Sequence, residues 1–349
     1  MNRKPLLYVV CCLLIVWRSD VALATVRVVT TLPDYADLVC VIGQDHVQVT
    51  TIVRGDQDAH FIRPKPSFAV ALRQADLLVS TGLDLELWLQ TVIDNAGNSR
   101  IRSGQQGYVA VATGMDLLEK PQSYSRSEGG VHVYGNPHIT TSPINMKRVA
   151  RNIAHGLIQV DPEHRASYEL HLNKWLDTID RLLFGDELVT LLGGDELCEL
   201  TQKNQLIGFL EKQTYQGEPL IRRLGGWMQK IRPLRGYSIV TYHKNWVYFA
   251  KLFGLHEAGT VEPKPGIPPS PKHVTGLIQK MKAEKLGIIL AANYFDRHKI
   301  QTVAARTGAV AVIVPLYVGG EKGVDDYPAL MDYWINALLK AARQQGMIR

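Results

Sequence analysis

Apolar residues along the chain fall into short runs with two different periods. The run 26-VRVVTTL-32 reads as a strand, Asp34–Ile42 spaces its apolar residues as a helix does, and 47-VQVTTIV-53 returns to alternation. Helix 67–75, strand 77–83, a helix over 84-DLELWLQTVIDNAG-97 and strand 108–113 extend the series. Strands alternating with helices predict parallel βα units. Residues 119–137 are rich in Ser, Gly and Pro and lack any period, so they read as a loop.

A capping residue followed by proline opens three later helices, at Ser142-Pro143, Asp161-Pro162 and Ser270-Pro271. The second of these, 162-PEHRASYELHLNKWLDTIDRLL-183, amounts to roughly 33 Å of helix, long enough to span two halves of a molecule. Residues 185–235 carry helical pieces and two short echoes, 191-LLGG-194 and 223-RLGG-226, which read as turn punctuation. A second alternating series follows: strand 237–243, helix 244–253, a short run near 256–262, a proline-rich turn 263–271, helix 271–284, strand 286–293, helix 297–308, strand 309–316 and helix 327–345. The C-terminal half thus repeats the pattern of the N-terminal half.

The first 24 residues differ from the rest. Arg3 and Lys4, an apolar run from Leu6 to Trp17 and Val-Ala-Leu-Ala ending at Ala24 match the three parts of a secretory signal. Cleavage after Ala24 and export are expected, and a run of about 12 apolar residues is short for a membrane span. Loss of Arg3, Lys4, Arg18 and Asp20 takes 39 basic and 33 acidic residues to 36 and 32, a net +4. That mild balance, with no interleaved basic and aromatic run, gives no nucleic-acid surface. Cys40 and Cys198 remain, either as an exported pair or as two free thiols.

Candidate chemistry comes from histidine. Among 11 histidines, His60 in 56-DQDAHFIRPKP-66, His138 in 135-GNPHITTSP-143 and His243 in 238-SIVTYHKNW-246 share a setting: each lies in a loop or at the carboxyl end of a strand, close to a helix start. Open α/β sheets bind ligands there, and imidazole nitrogens from distant loops assemble metal sites. These three are therefore read as meeting at one metal. His132, six residues before His138, is an accessory candidate. His46, His155, His164, His171, His273 and His298 are read as structural or surface residues.

The same stretches resemble the zinc/manganese substrate-binding proteins of bacterial ABC transporters. Segments 56-DQDAHFIRPKPS-67, 81-TGLDLELWL-89, 136-NPHITTSP-143 and 241-TYHKNWVYFAKLFGL-255 are similar to that family's motifs, and the resemblance covers nearly the whole chain after residue 24. It implies an α/β fold of two similar lobes, each a small parallel sheet flanked by helices: an N-terminal lobe over 25–161, a rigid connecting helix over 162–184, and a C-terminal lobe over 236–349. Residues 185–235 stand as a helical insertion. It also implies His60, His138 and His243 as ligands.

The family's usual fourth ligand, an aspartate after the last strand, has no counterpart: Pro315 stands near that place. The candidates for the fourth position are water, Asp58, Glu321, Asp325, Asp326 and the accessory His132. Three imidazoles suit zinc better than manganese. The expectation is a periplasmic, monomeric, non-enzymatic protein that captures Zn2+ and delivers it to an ABC permease. Its alternatives are a manganese or iron transport component and an extracellular adhesin. A hydrolytic zinc site is disfavoured, because no His-Glu-x-x-His helix or nucleophile elbow accompanies the histidines.

Overall fold

The computed structural model describes residues 25–121, 132–264 and 266–349; residues 1–24, read above as a secretory signal, and part of the 119–137 loop lie outside them. Strand β1 (Val26–Thr30) pairs in parallel with β2 (Val47–Thr51) and β3 (Leu77–Ser80), and β3 with β4 (Tyr108–Ala110). Helices α1 (Pro33–Gly43), α2 (Pro66–Gln74), α3 (Leu89–Ala96) and α4 (Pro143–Val160) flank this sheet. The apolar run of β3 is buried throughout, whereas the alternating β2 lies at the sheet edge. For this pair of strands the continuous run marks the position buried on both faces and the alternating run the edge.

Helix α5 (Arg165–Phe184) then leads to α6 (Asp186–Leu192), α7 (Gly194–Gln202), α8 (Leu206–Lys212), a two-stranded hairpin of β5 (Thr214–Tyr215) and β6 (Glu218–Pro219), and α9 (Gly226–Ile231). The second sheet comprises β7 (Ser238–Thr241), β8 (His256–Thr260), β9 (Ile288–Ala292) and β10 (Val310–Val314). Its helices are α10 (Val247–Phe253), α11 (Pro271–Ala283), α12 (Arg297–Thr307) and α13 (Tyr327–Gln344). Both four-stranded sheets are parallel, in the orders β2-β1-β3-β4 and β8-β7-β9-β10. Each lobe therefore places its second strand outermost, beside its first, and the repeat read in the sequence extends to the winding.

Three local expectations change. The helix expected over 84–97 starts only at Leu89, because Glu86 turns inward and accepts hydrogen bonds from the Thr31 hydroxyl at 2.6 Å and the Thr81 hydroxyl at 2.7 Å. The strand expected to reach residue 113 ends at Ala110, whose carbonyl accepts from the Thr113 hydroxyl in a tight turn. Asp161 does not cap its helix: its carboxylate takes His164 Nδ1 at 2.7 Å and the Tyr168 hydroxyl, and residues 162–164 form a 3-10 turn before α5. Ser142 and Ser270 do cap, accepting from the backbone of Asn145 and His273.

The two Leu-Gly-Gly echoes prove to be contact points on α5, with Gly194 and Gly226 against its C-terminal part. A Cβ on Gly194 would stand 1.9 Å from Asp180 Oδ2, and one on Gly226 would stand 2.2 Å from the Leu182 carbonyl. Leu188, Leu197, Leu206 and Leu210 bury this segment's apolar side. Cys40 is exposed and Cys198 buried, and neither is paired. Among the described residues no helix is long and apolar enough to cross a membrane.

Candidate metal centre

Each of the three loop histidines is aimed by its own local structure. His60 sits in a 3-10 turn, Ala59–Phe61, past β2; Asp58 caps that turn by accepting the His60 N–H at 3.0 Å, and Trp88 Nε1 holds it by donating to the Ala59 carbonyl at 2.8 Å. His138 precedes the 3-10 turn Ile139–Thr141 that feeds α4, and its N–H donates to Asn136 Oδ1 at 3.0 Å. His243 lies two residues past β7, in the turn before α10. One ring nitrogen from each of the three comes within 4.8 Å of the others, with His138 and His243 buried and His60 half-buried. All three stand at carboxyl ends of strands or the loops beyond them, two from one lobe and one from the other.

In His60, His243 and His132 the partner of one ring nitrogen shows which nitrogen is free. His60 Nδ1 lies 2.7 Å from Asp58 Oδ1, His243 Nδ1 3.0 Å from the Glu262 carbonyl, and His132 Nδ1 2.9 Å from Asp84 Oδ1. Carboxylates and carbonyls only accept, so Nδ1 carries the proton in each ring and Nε2 of a neutral ring presents its lone pair. His60 Nε2 and His132 Nε2 face each other at 3.2 Å. Two facing lone pairs repel unless a cation lies between them. Nitrogens bound to a tetrahedral zinc at about 2.05 Å stand about 3.3 Å apart, close to this spacing.

Burial sets the charge of the deeper rings. His243 is lowered to about 4, chiefly by desolvation, and His138 is pushed well below the usual histidine range by the same cause and by its neighbouring imidazoles. Both are neutral near pH 7 and ready to ligate without releasing a proton.

The other candidates fall in different places. Asp58 is engaged as the acceptor of His60. Asp326 caps α13 through the Ala329 N–H, and Glu321 accepts from the Lys322 N–H; neither they, Asp325 nor any other described His, Cys, Asp or Glu brings a ligand atom within 4.8 Å of all three histidines. His132 places its Nε2 3.2 Å from that of His60, and its ring centre lies 6.0 Å from that of His138. Asp84 and Asn245 escaped the sequence reading: Asp84, which also accepts the Val133 N–H at 2.8 Å, looked like a helix residue, and Asn245, whose amide lies 3.4 Å from His138 Nε2, looked like the start of α10.

Known proteins give the arrangement its context. The chain matches the model of ZnuA, zinc-uptake complex component A periplasmic, over residues 28–183 and 220–341, leaving α6 to α8 and the hairpin unmatched. It is 24% identical over 340 residues, 93% of this chain and 92% of the relative, to the metal ABC transporter substrate-binding lipoprotein FimA of Streptococcus parasanguinis. It is 23% identical over 295 residues, 83% of this chain and 78% of the relative, to the iron ABC transporter substrate-binding lipoprotein MtsA of Streptococcus pyogenes serotype M1. The crystal structure of a zinc-bound ZnuA deletion mutant superposes with a TM-score of 0.67 at 23% identity, covering 91% of this chain and 98% of that one. A Mn-bound periplasmic metal binding protein from Candidatus Liberibacter asiaticus gives 0.62 at 19% identity, covering 90% and 99%. Because the family model spans both lobes and the relatives run nearly end to end with it, the chain belongs to the ZnuA family of substrate-binding components of metal ABC transporters.

Proposed function

We propose that this protein is exported, sheds residues 1–24, captures Zn2+ between its lobes with His60, His138, His243 and the loop residue His132, and passes the ion to a membrane permease driven by a separate ATPase. The observation that carries the reading is the set of fixed tautomers. Three Nδ1 atoms are engaged by Asp58, Asp84 and the Glu262 carbonyl, so three Nε2 lone pairs are left for a cation. An all-nitrogen donor set favours zinc over manganese, which takes a larger share of carboxylate oxygen. The names of the manganese and iron relatives keep those ions as the second reading. In this reading the work of the protein is selection and release of the ion, and Asp58 and Asp84 serve to orient His60 and His132.

The test is metal content and zinc titration of residues 25–349 beside His60→Ala, His138→Ala, His243→Ala, His132→Ala and Asp84→Asn. Each of the first three lowers zinc affinity more than about a hundredfold, and the last two lower it about ten- to a hundredfold. Wild-type affinity in any one variant removes that residue from the site, and preferential uptake of manganese in a competition titration replaces zinc.

A further inference from the structure

The two lobes bring their ligands together through one side chain. Asn136 is 3% exposed and every polar group it owns is engaged. Its Oδ1 accepts the His138 N–H at 3.0 Å. Its Nδ2 donates to the Lys244 carbonyl at 2.8 Å and to Glu119 Oε2 at 3.0 Å. Its backbone N–H donates to the Leu118 carbonyl at 2.8 Å, and its carbonyl accepts from the Tyr248 hydroxyl at 2.6 Å. The amide's orientation is fixed by its partners, since an N–H can meet only the oxygen and a carbonyl only the nitrogen.

The position of these partners matters more than their number. His138 belongs to the N-terminal lobe, and Lys244 follows His243 directly in the C-terminal lobe. A single planar amide therefore spans the distance from the backbone of one ligand to the backbone beside the other. Glu119 and Lys244 close the frame, with Lys244 Nζ 2.7 Å from Glu119 Oε1. None of the hydrogen bonds of Asn136 goes to an imidazole; those that reach the ligands go to the His138 N–H and the Lys244 carbonyl, so its influence on the ion is exerted through the two main chains.

We infer that Asn136 is a positioning residue that sets the spacing between His138 and His243 across the cleft, and hence the coordination geometry offered to the ion. The inference rests on the zinc reading above. Aspartate at this position keeps the acceptor for the His138 N–H but turns an oxygen toward the Lys244 carbonyl and Glu119, where two acceptors repel. Serine accepts from His138 but is too short to span to Lys244.

The experiment uses residues 25–349 with Zn2+ for affinity and Co2+ as a spectroscopic probe of coordination, in Asn136→Asp, Asn136→Ser and Tyr248→Phe. Tyr248→Phe is the control, because it cuts two bonds across the same seam, to the Asn136 carbonyl and from the Leu118 N–H, without altering the side-chain amide. The expected result is a fall of about ten- to a hundredfold in zinc affinity for both Asn136 variants. The visible absorption of the Co2+ form weakens or shifts in both, while the metal-free melting temperatures of all three variants stay close together. Tyr248→Phe keeps the wild-type Co2+ spectrum. If Asn136→Asp does not fold, Asn136→Ser decides.

Wild-type affinity and spectrum in the Asn136 variants overturn the inference while leaving the zinc site standing. Equal losses in Tyr248→Phe overturn it too, since general packing of the seam then explains them. A wild-type protein that takes up no zinc brings down the underlying reading, and this one with it.

Discussion

His243 and Asp34 are both buried and ionisable, and burial moves them in opposite directions. His243 is lowered to about 4, against a usual value near 6.5 in an unfolded chain. The unfolded state therefore takes up a proton first, and this histidine's contribution to stability, complete above about 6.5, is lost as pH falls toward 4. Asp34, fully buried where it accepts the Val318 N–H at 2.8 Å, is pushed up to about 7 by desolvation. Its contribution is complete below about 4, where both states are protonated, and is lost as pH rises through 7. In metal-free protein, Asp34→Asn gains melting temperature relative to wild type as pH rises from 4 to 8, and His243→Gln gains it as pH falls from 7 to 4. Parallel curves for either variant would show that its group is not buried in the form assigned here. The histidines themselves were legible in the sequence because each stood in a loop near a helix start. Asp84 was not, because its value lies in reaching a residue 48 positions away, and no local period encodes such a contact.

At the level of elements, the segment outside the family match is fastened to the connecting helix by charge as well as by leucines. Lys147 on α4 is 2% exposed and places Nζ 2.6 and 2.8 Å from the two oxygens of Asp180 on α5 and 3.0 Å from Asp195 on α7. Breaking a buried pair leaves an unpaired charge and costs about 3–5 kcal/mol, whereas replacing both partners by apolar groups is often neutral. Lys147→Met should thus lower the melting temperature markedly, and the double change Lys147→Met with Asp180→Leu should recover most of it, with zinc affinity preserved in both. A single variant that melts like wild type would mean the pair is solvated. The βα alternation announced both sheets because strand and helix periods are local properties. The role of the Gly-Gly echoes was hidden, because glycine marks a turn and a close helix approach with the same letter, and only the packing of Gly194 on Asp180 tells them apart.

At the scale of the whole molecule, the lobes are tied on both flanks of the cleft. On one side Val318 N–H reaches Asp34, Tyr327 N–H reaches Asp37 Oδ2 at 3.0 Å and the Tyr327 hydroxyl reaches the Thr140 carbonyl at 2.8 Å. Gly55 and Gly320 meet so closely there that a Cβ on Gly55 would stand 2.3 Å from the Gly320 nitrogen. On the other side Asn136 holds Lys244 and Tyr248. Helix α5, 20 residues long, is braced along its C-terminal part by α7 and α9. A hinge needs a few residues free to change φ and ψ together, and closing this cleft by rotation would break bonds on one flank or the other. Zinc uptake should therefore act locally, drawing His132 and His60 onto the ion while the lobes keep their relation. Small-angle scattering of metal-free and zinc-loaded protein should give radii of gyration within about 0.5 Å of each other, the result expected of loop ordering and not of domain closure. Amide exchange should slow chiefly in residues 58–61, 132–138 and 241–245. A contraction of more than about 1 Å, with protection spread through α5, would show that the ties on one flank open in the metal-free state, and that release is driven by parting the lobes.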